Sequence, residues 1–414
     1  MTTIDLNGLD VNLLDGELYA GDPSPVYRWL RDEAPAYWDP IQQIWGISRH
    51  EDVVAVEKDA PRYTSAHGSR PRIVGDVSMI NNDDPLHQNK RRLVARRFTP
   101  RSVKQHEDDV RRVVTELIDA VAPAGACDVV ADLAAPLPAR VICEMLGFDA
   151  PLADKCREWS EVTMLSGGQY DVGGAIHEPS EATITAVLEF ANEALALLEQ
   201  RRAQPRDDLF SVWAHSELEF PDGTVRAMND DEVVHEALLL LDGGAETTRT
   251  VIGTMCLELA RHPDQRAVLV ADPEILGRTG VEEMIRWVTP ILNMRRTAIA
   301  DHELHGEMIH AGDEILLMYG SANRDERVFD DPDTLDLTRE HNHHVAFGFG
   351  THFCLGASLA RLEIGVMFEE IARRLPDLEP VDGFEPRRLP SAFACGYESL
   401  PMTFTPGAPG NSSG

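Results

Sequence analysis

The feature that most restricts the fold is "DDEVVHEALLLLDGGAETTRTVIGTMCLELARH" at 230–262, one sustained apolar period of helical spacing. Asn229 or Asp230 caps it, acids fill its first turn, and Pro263 stops it. At 1.5 Å per residue it would run roughly 45–50 Å, through the middle of a large globular body. Yet its centre reads "GGAETT". Each glycine costs about 1 kcal/mol against alanine in a helix, and paired threonines are poor formers. A buried helix weakened at its midpoint predicts a local opening at Gly243 and Gly244 where a ligand approaches the backbone. The alternative is a close helix crossing over two small residues.

Helical periods also mark 102–122, 182–204, 277–288 and 357–375. Strand-like pieces are short: 43–48, 297–319 with turns at Gly306 and Gly312, and the stretch near 393–404. The chain therefore reads as mainly α with small β-sheets. One domain over 1–405 and a disordered tail at 406–414 are expected. Of 414 residues, 70 are acidic and 38 basic, a formal charge of −32 that argues against general nucleic-acid binding. The N-terminus lacks the pattern of a signal peptide, and no apolar run approaches the roughly 20 residues that span a bilayer. A cytoplasmic protein without a membrane anchor is expected. Six cysteines without a C-x-x-C pair fit a reducing compartment. Five of them read as buried small apolar groups.

Cys354 is the exception. It stands in "HVAFGFGTHFCLGASLARLE" (344–363), framed by Gly348, Gly350 and Gly356 just ahead of a helical pattern. Such glycines allow left-handed backbone and close approach to a flat ligand. A helix starting near Ala357 would aim its first N–H groups at the sulfur, lowering the thiol pKa. A thiolate is a strong donor to haem iron and favours O–O cleavage.

"FGFGTHFCLG" (347–356) matches the haem-thiolate signature F-G-x-G-x-H-x-C-x-G of the cytochrome P-450 superfamily, which the chain resembles over nearly its whole length. "EEMIRW" (282–287) carries that family's E-x-x-R pair as Glu283 and Arg286, and "GGAETT" resembles its oxygen-groove motif. The resemblance implies the P-450 fold, with the long central helix over a haem b whose iron Cys354 ligates. It implies that Phe347, Gly348, Gly356, Gly243 and Gly244 border the haem. It also implies that His87, Arg91, Arg296 and His352 meet the propionates, with Arg92 and Arg295 as competing choices beside Arg91 and Arg296. Arginine suits such a carboxylate because its fork binds bidentately. Glu246 and Thr247 match the acid–alcohol pair that delivers protons. Thr248 reads as a helix threonine bonding back to a carbonyl. Glu283 and Arg286 lie three apart on one helix face and read as a structural ion pair.

Substrate contacts are expected from the 64–80 loop, the 160–180 stretch, Leu239, Val288, Ile291, Leu292, Phe393 and Ala394, a mostly apolar set that suits a lipophilic guest. The stretch after Cys354 leaves no room for a flavin or ferredoxin domain, so a separate ferredoxin and ferredoxin reductase are expected. Arg92, Arg96, Arg97 and Arg101, in a run of seven basic residues at 89–104, are candidates for the docking patch. The resemblance points to a monomeric monooxygenase hydroxylating a sterol, terpenoid or branched lipid. Polyketide tailoring, a peroxide-driven haem-thiolate enzyme and a non-catalytic haem sensor are the alternatives. The acid–alcohol pair argues against the peroxide-driven one.

Overall fold

The central apolar period folds as one unbroken α-helix, Asp230–Arg261, in a computed structural model that describes residues 10–73, 76–166 and 180–408. The expected tail from 409 onward and most of the 160–180 stretch lie outside the described residues. Asn229 and Glu232 close a reciprocal capping box at the start of the helix, and His262 ends it ahead of Pro263.

The expected opening at the glycine pair does not occur, because both glycines are helical. Their roles differ. A Cβ at Gly244 would sit 2.9 Å from Cγ1 and 3.1 Å from Cβ of Ile142, on the crossing helix Pro136–Leu146. A Cβ at Gly243 would meet nothing within 4 Å. Gly244 is thus the small residue of a close crossing, and Gly243 fronts open space. Gly244→Ala should destabilise the fold by about 1–3 kcal/mol through overpacking. Gly243→Ala should stabilise it by up to about 1 kcal/mol through helix propensity. Denaturant midpoints of the two variants check this, and equal shifts would refute the division of roles.

Helices Glu181–Ala203 and Ala357–Arg374 fall within a residue of expectation. The period at 102–122 is broken into Pro100–Val103, a short 3₁₀ turn and Glu107–Val121. That at 277–288 opens with a π-helical turn, Leu276–Gly280, before Val281–Val288. Several helices escaped the sequence reading. Pro136–Leu146 is apolar nearly all round, and eight of its eleven residues are buried, so it shows no polar face to set a period.

The larger sheet has five strands in the order Ala36–Asp39, Ile44–Ile47, Glu314–Met318, Asn293–Ala298, Tyr63–Thr64. Ile44–Ile47 and Glu314–Met318 pair in parallel, and the other neighbours are antiparallel. Gly306 and Gly312 take φ of +84° and +97° at the expected turns. A second sheet joins Glu379–Pro380, Pro401–Thr403 and Ala126–Asp128. The main apolar core wraps the C-terminal half of the central helix, where Val251, Ile252, Met255 and Leu259 are buried against Leu359, Met367 and Phe368. No helix among the described residues is long and apolar enough to cross a membrane.

Candidate active site

Cys354 sits on a loop held by its own backbone: its N–H donates to Phe347 O at 2.8 Å. Gly348 and Gly350 take φ of +67° and +69°, and a Cβ at Gly350 would lie 2.6 Å from Glu57 O. Only glycine fits there. The sulfur is open to an internal cleft yet enclosed by protein around it. Burial pushes its pKa up, while Gly356 N–H, Arg91, Arg361 and Ala357 N–H pull the other way. The expected lowering is therefore outweighed in the protein alone. Iron coordination is what would deprotonate such a thiol outright.

The cleft runs from this loop to the central helix. Phe347, Gly348, Cys354 and Gly356 border it on one side and Leu239, Gly243, Gly244 and Thr247 on the other. At one end His87, Arg91, Arg296 and His352 converge. The His87 and His352 rings stack with centroids 4.1 Å apart. Burial, then Arg296, His87 and Arg91, force His352 down to about 2. Among the described residues, only Arg296 of these four groups reaches an acid in the cleft wall, the carboxyl of Glu57 at 3.2 Å, which also accepts from Tyr319 Oη at 2.7 Å. This end of the cleft is short of negative charge.

The paired arginines separate by position. Arg296 borders the cleft, whereas Arg295 turns away to Glu314 and to the carbonyls of His67, Gly68 and Ile73. Arg91 borders the cleft and donates to Phe353 O at 2.6 Å, whereas Arg92 is exposed and reaches Asn89.

The acid–alcohol pair is divided between two spaces. Thr247 fronts the cleft, its hydroxyl donating back to Gly243 O at 3.0 Å. That back-bond was expected of Thr248. Glu246 lies behind, at a small adjoining cavity that Thr247 also borders. Its carboxylate pairs with Arg249 at 2.7 Å and accepts from Ser160 at 3.4 Å. Burial raises its pKa and Arg249 opposes the rise.

Of the expected substrate residues, Leu239, Ile291 and Phe393 border the cleft. Val288 and Leu292 do not: both are buried in the main core, because the short helix Val281–Val288 and the residues after it turn these side chains inward. Ala394 borders the small adjoining cavity instead, bridged to Ile291. Sequence reasoning missed Glu57 and Glu363, and did not single out Arg70 within the expected 64–80 loop or Asp242 beside Leu239. Glu363 is buried on the helix after the cysteine, and burial lifts its pKa to about 8. The Thr248 hydroxyl moderates that rise without reaching hydrogen-bond geometry. A lone acid in an apolar run, as in "LLLLDGG", is the signal that was available.

The family model described as Cytochrome P450 matches residues 276–387. The Steroid C26-monooxygenase of Mycolicibacterium smegmatis is 43% identical over 401 residues, covering 97% of each chain. The chain is a cytochrome P450. As a P450 it is a monooxygenase that takes electrons from redox partners. The Methyl-branched lipid omega-hydroxylase of Mycobacterium tuberculosis is 38% identical over 428 residues, covering 97% of this P450 and 95% of that protein. A Mycobacterium marinum cytochrome P450 in complex with pseudoionone superposes with a TM-score of 0.85 at 32% identity, covering 95% of this P450 and 98% of that chain.

The family's haem-thiolate group fits the residues present. The cleft offers a thiol on one wall, a side-chain-free glycine opposite it, apolar flanks, and a basic end suited to two carboxylates. Behind the cysteine loop of the P450, Glu283 and Arg286 are wholly buried and joined by two bonds of 2.7 Å. On the loop's outer side Phe349 and Phe353 are exposed, with Lys58 over the Phe349 ring. Arg92, Arg96 and Arg101 are exposed nearby in sequence to Arg91, while Arg97 is taken by Asp207.

Proposed function

We propose that this P450 hydroxylates a C–H bond of a lipophilic small molecule, a sterol, terpenoid or branched lipid, at a haem b held by Cys354. The observation that carries the reading is the cleft itself, mostly apolar away from its basic end and lying between Cys354 and the Gly243–Thr247 face of the central helix. The two relatives named for steroid and methyl-branched lipid oxidation support the substrate class. When bound, the haem activates molecular oxygen, one atom of which enters the substrate while the other leaves as water.

The chain's own groups do the rest. His87, Arg91, Arg296 and His352 bind the propionates, and Arg296 exchanges part of its hold on Glu57 for them. Thr247 Oγ1 gives up its bond to Gly243 O to present a proton toward the cleft. Glu246, its pKa raised by burial and held down by Arg249, takes up the next proton as Arg249 swings aside and releases it when Arg249 returns. Electrons come from a ferredoxin, served by its reductase, that docks over Phe349, Phe353, Arg92, Arg96 and Arg101, an apolar and basic face on a strongly acidic protein. Six unpaired cysteines suit work in the cytoplasm, as a monomer.

Thr247→Ala tests the proton route. Haem content and substrate binding should stay, while coupled product falls by about 10²-fold or more, the scale of one positioned acid–base group. Reducing equivalents should then appear as hydrogen peroxide. Full coupling in the variant would overturn the assignment.

A further inference from the structure

Away from its basic end the wall of the cleft carries, among the described residues, one cationic side chain. Arg70, on the loop after Tyr63–Thr64, borders the cleft with its side chain 20% exposed. Its guanidinium lies 5.3 Å over the Phe393 ring and 3.4 Å from Asp242 Oδ2 on the central helix. The other oxygen of Asp242 accepts from Thr163 at 2.7 Å, on helix Ala153–Ser166. Three elements thus orient one cation against an apolar space.

That single long contact occupies one of five N–H donors. Among the described residues the Arg70 side chain makes no other hydrogen bond, so its remaining donors are open to a partner at the border of the cleft. An apolar ligand that expelled their water would leave them unpaired, at a cost of about 1–3 kcal/mol. An oxygen acceptor would replace that water. Its charge is constrained by what surrounds Arg70. Asp242 is fully buried, and burial raises its pKa to about 6 even with Arg70 beside it, with Asp76 adding to the rise. A ligand carboxylate would bring a further negative charge to a place already short of solvent for the ones it holds.

We propose that Arg70, held by Asp242, is the specificity anchor for a neutral oxygen, a ketone or hydroxyl, at the end of the substrate opposite the carbon that is oxidised. This rests on the monooxygenase reading above and names the polar end of its lipophilic substrate. Asp242 precedes Thr247 by five residues, roughly 7–8 Å along the helix axis. On this reading the anchored oxygen is offset from Thr247 by more than one turn of the helix.

The test is spectral titration of the haem-loaded protein with three matched sterol-type probes: a ketone, the hydrocarbon lacking that oxygen, and a carboxylic acid at the same position. The wild type should bind the ketone about tenfold tighter than either of the others, the scale of one hydrogen bond to a charged donor. Arg70→Met should bring ketone and hydrocarbon within about twofold of each other, by weakening the ketone and tightening the hydrocarbon, which no longer strands the guanidinium. Asp242→Asn should improve binding of the acid. An unaltered ketone preference in Arg70→Met overturns the proposal. So does an equal loss for all three probes, which would mean that Arg70 merely closes the roof, and so does failure of the wild type to discriminate. The reduced carbon monoxide spectrum is recorded on every sample. A thiolate-type spectrum without discrimination refutes only the anchor, whereas its absence refutes the monooxygenase reading first.

Discussion

Replacing Cys354 with alanine should yield a folded protein without the thiolate-type carbon monoxide spectrum. Folding should survive because the loop is held by main-chain bonds, Cys354 N–H to Phe347 O and the glycine turns, none of which needs the sulfur. The loss at the site should be near total. Cys354 is the one cysteine bordering the cleft, and no group of three or more His, Cys, Asp or Glu among the described residues is placed to hold a metal ion instead. Hydroxylation should fall by about 10³-fold or more, as when a group on which the whole reaction depends is removed. Cys143→Ala and Cys256→Ala, both buried and outside the cleft lining, serve as controls with the spectrum intact. A Cys354→Ala protein with an unchanged spectrum would remove the basis of every assignment made for the cleft.

The largest loss of stability is expected from Glu283→Ala. Its carboxylate accepts both bonds from Arg286, and also bonds from Asp336 N–H, Arg339 and Asn342. Arg286 in turn donates to the carbonyls of Asn323 and Pro332 at 2.9 Å. The pair ties helix Val281–Val288 to the chain that leads into the cysteine loop. Removing one partner strands a buried charge, at a cost of about 3–5 kcal/mol. Arg286→Lys keeps the charge and loses the fork, so its loss should be smaller. By contrast Arg112→Ala, whose partner Glu116 is half exposed, should cost about 0–1 kcal/mol. Denaturant midpoints rank the three. Near-equal values for Glu283→Ala and Arg112→Ala would show that the buried pair braces nothing.

The cysteine loop was legible because its conformation demands glycine where few other residues fit, so the requirement is written in residue identity. The central helix was legible for a related reason: its length, cap and stop are local. What stayed hidden depends on direction. Arg295 and Arg296 carry the same chemistry, and only the strand Asn293–Ala298 decides which of them faces the cleft. Val288 and Leu292 have the composition of a pocket wall but point into the core. Asp242 and Arg70 are 172 positions apart, and nothing local in either stretch announces the other. The glycine pair misled in a different way, since the helix stays wound at both positions and only Gly244 gains close packing, at Ile142.

The alternation at Arg295 and Arg296 has a mechanical side. Arg296 donates to the main-chain oxygen of Arg295, and Arg295 in turn grips His67, Gly68 and Ile73 on the segment that carries Arg70. The two proposed roles, Arg296 holding the cofactor and the Arg70 segment recognising the guest, thus hang from opposite faces of two consecutive links of one stiff ribbon. Swapping that segment for another sequence to accept new guests should therefore succeed only where the replacement keeps three main-chain oxygens in place, since losing them would loosen the grip on the prosthetic group as well.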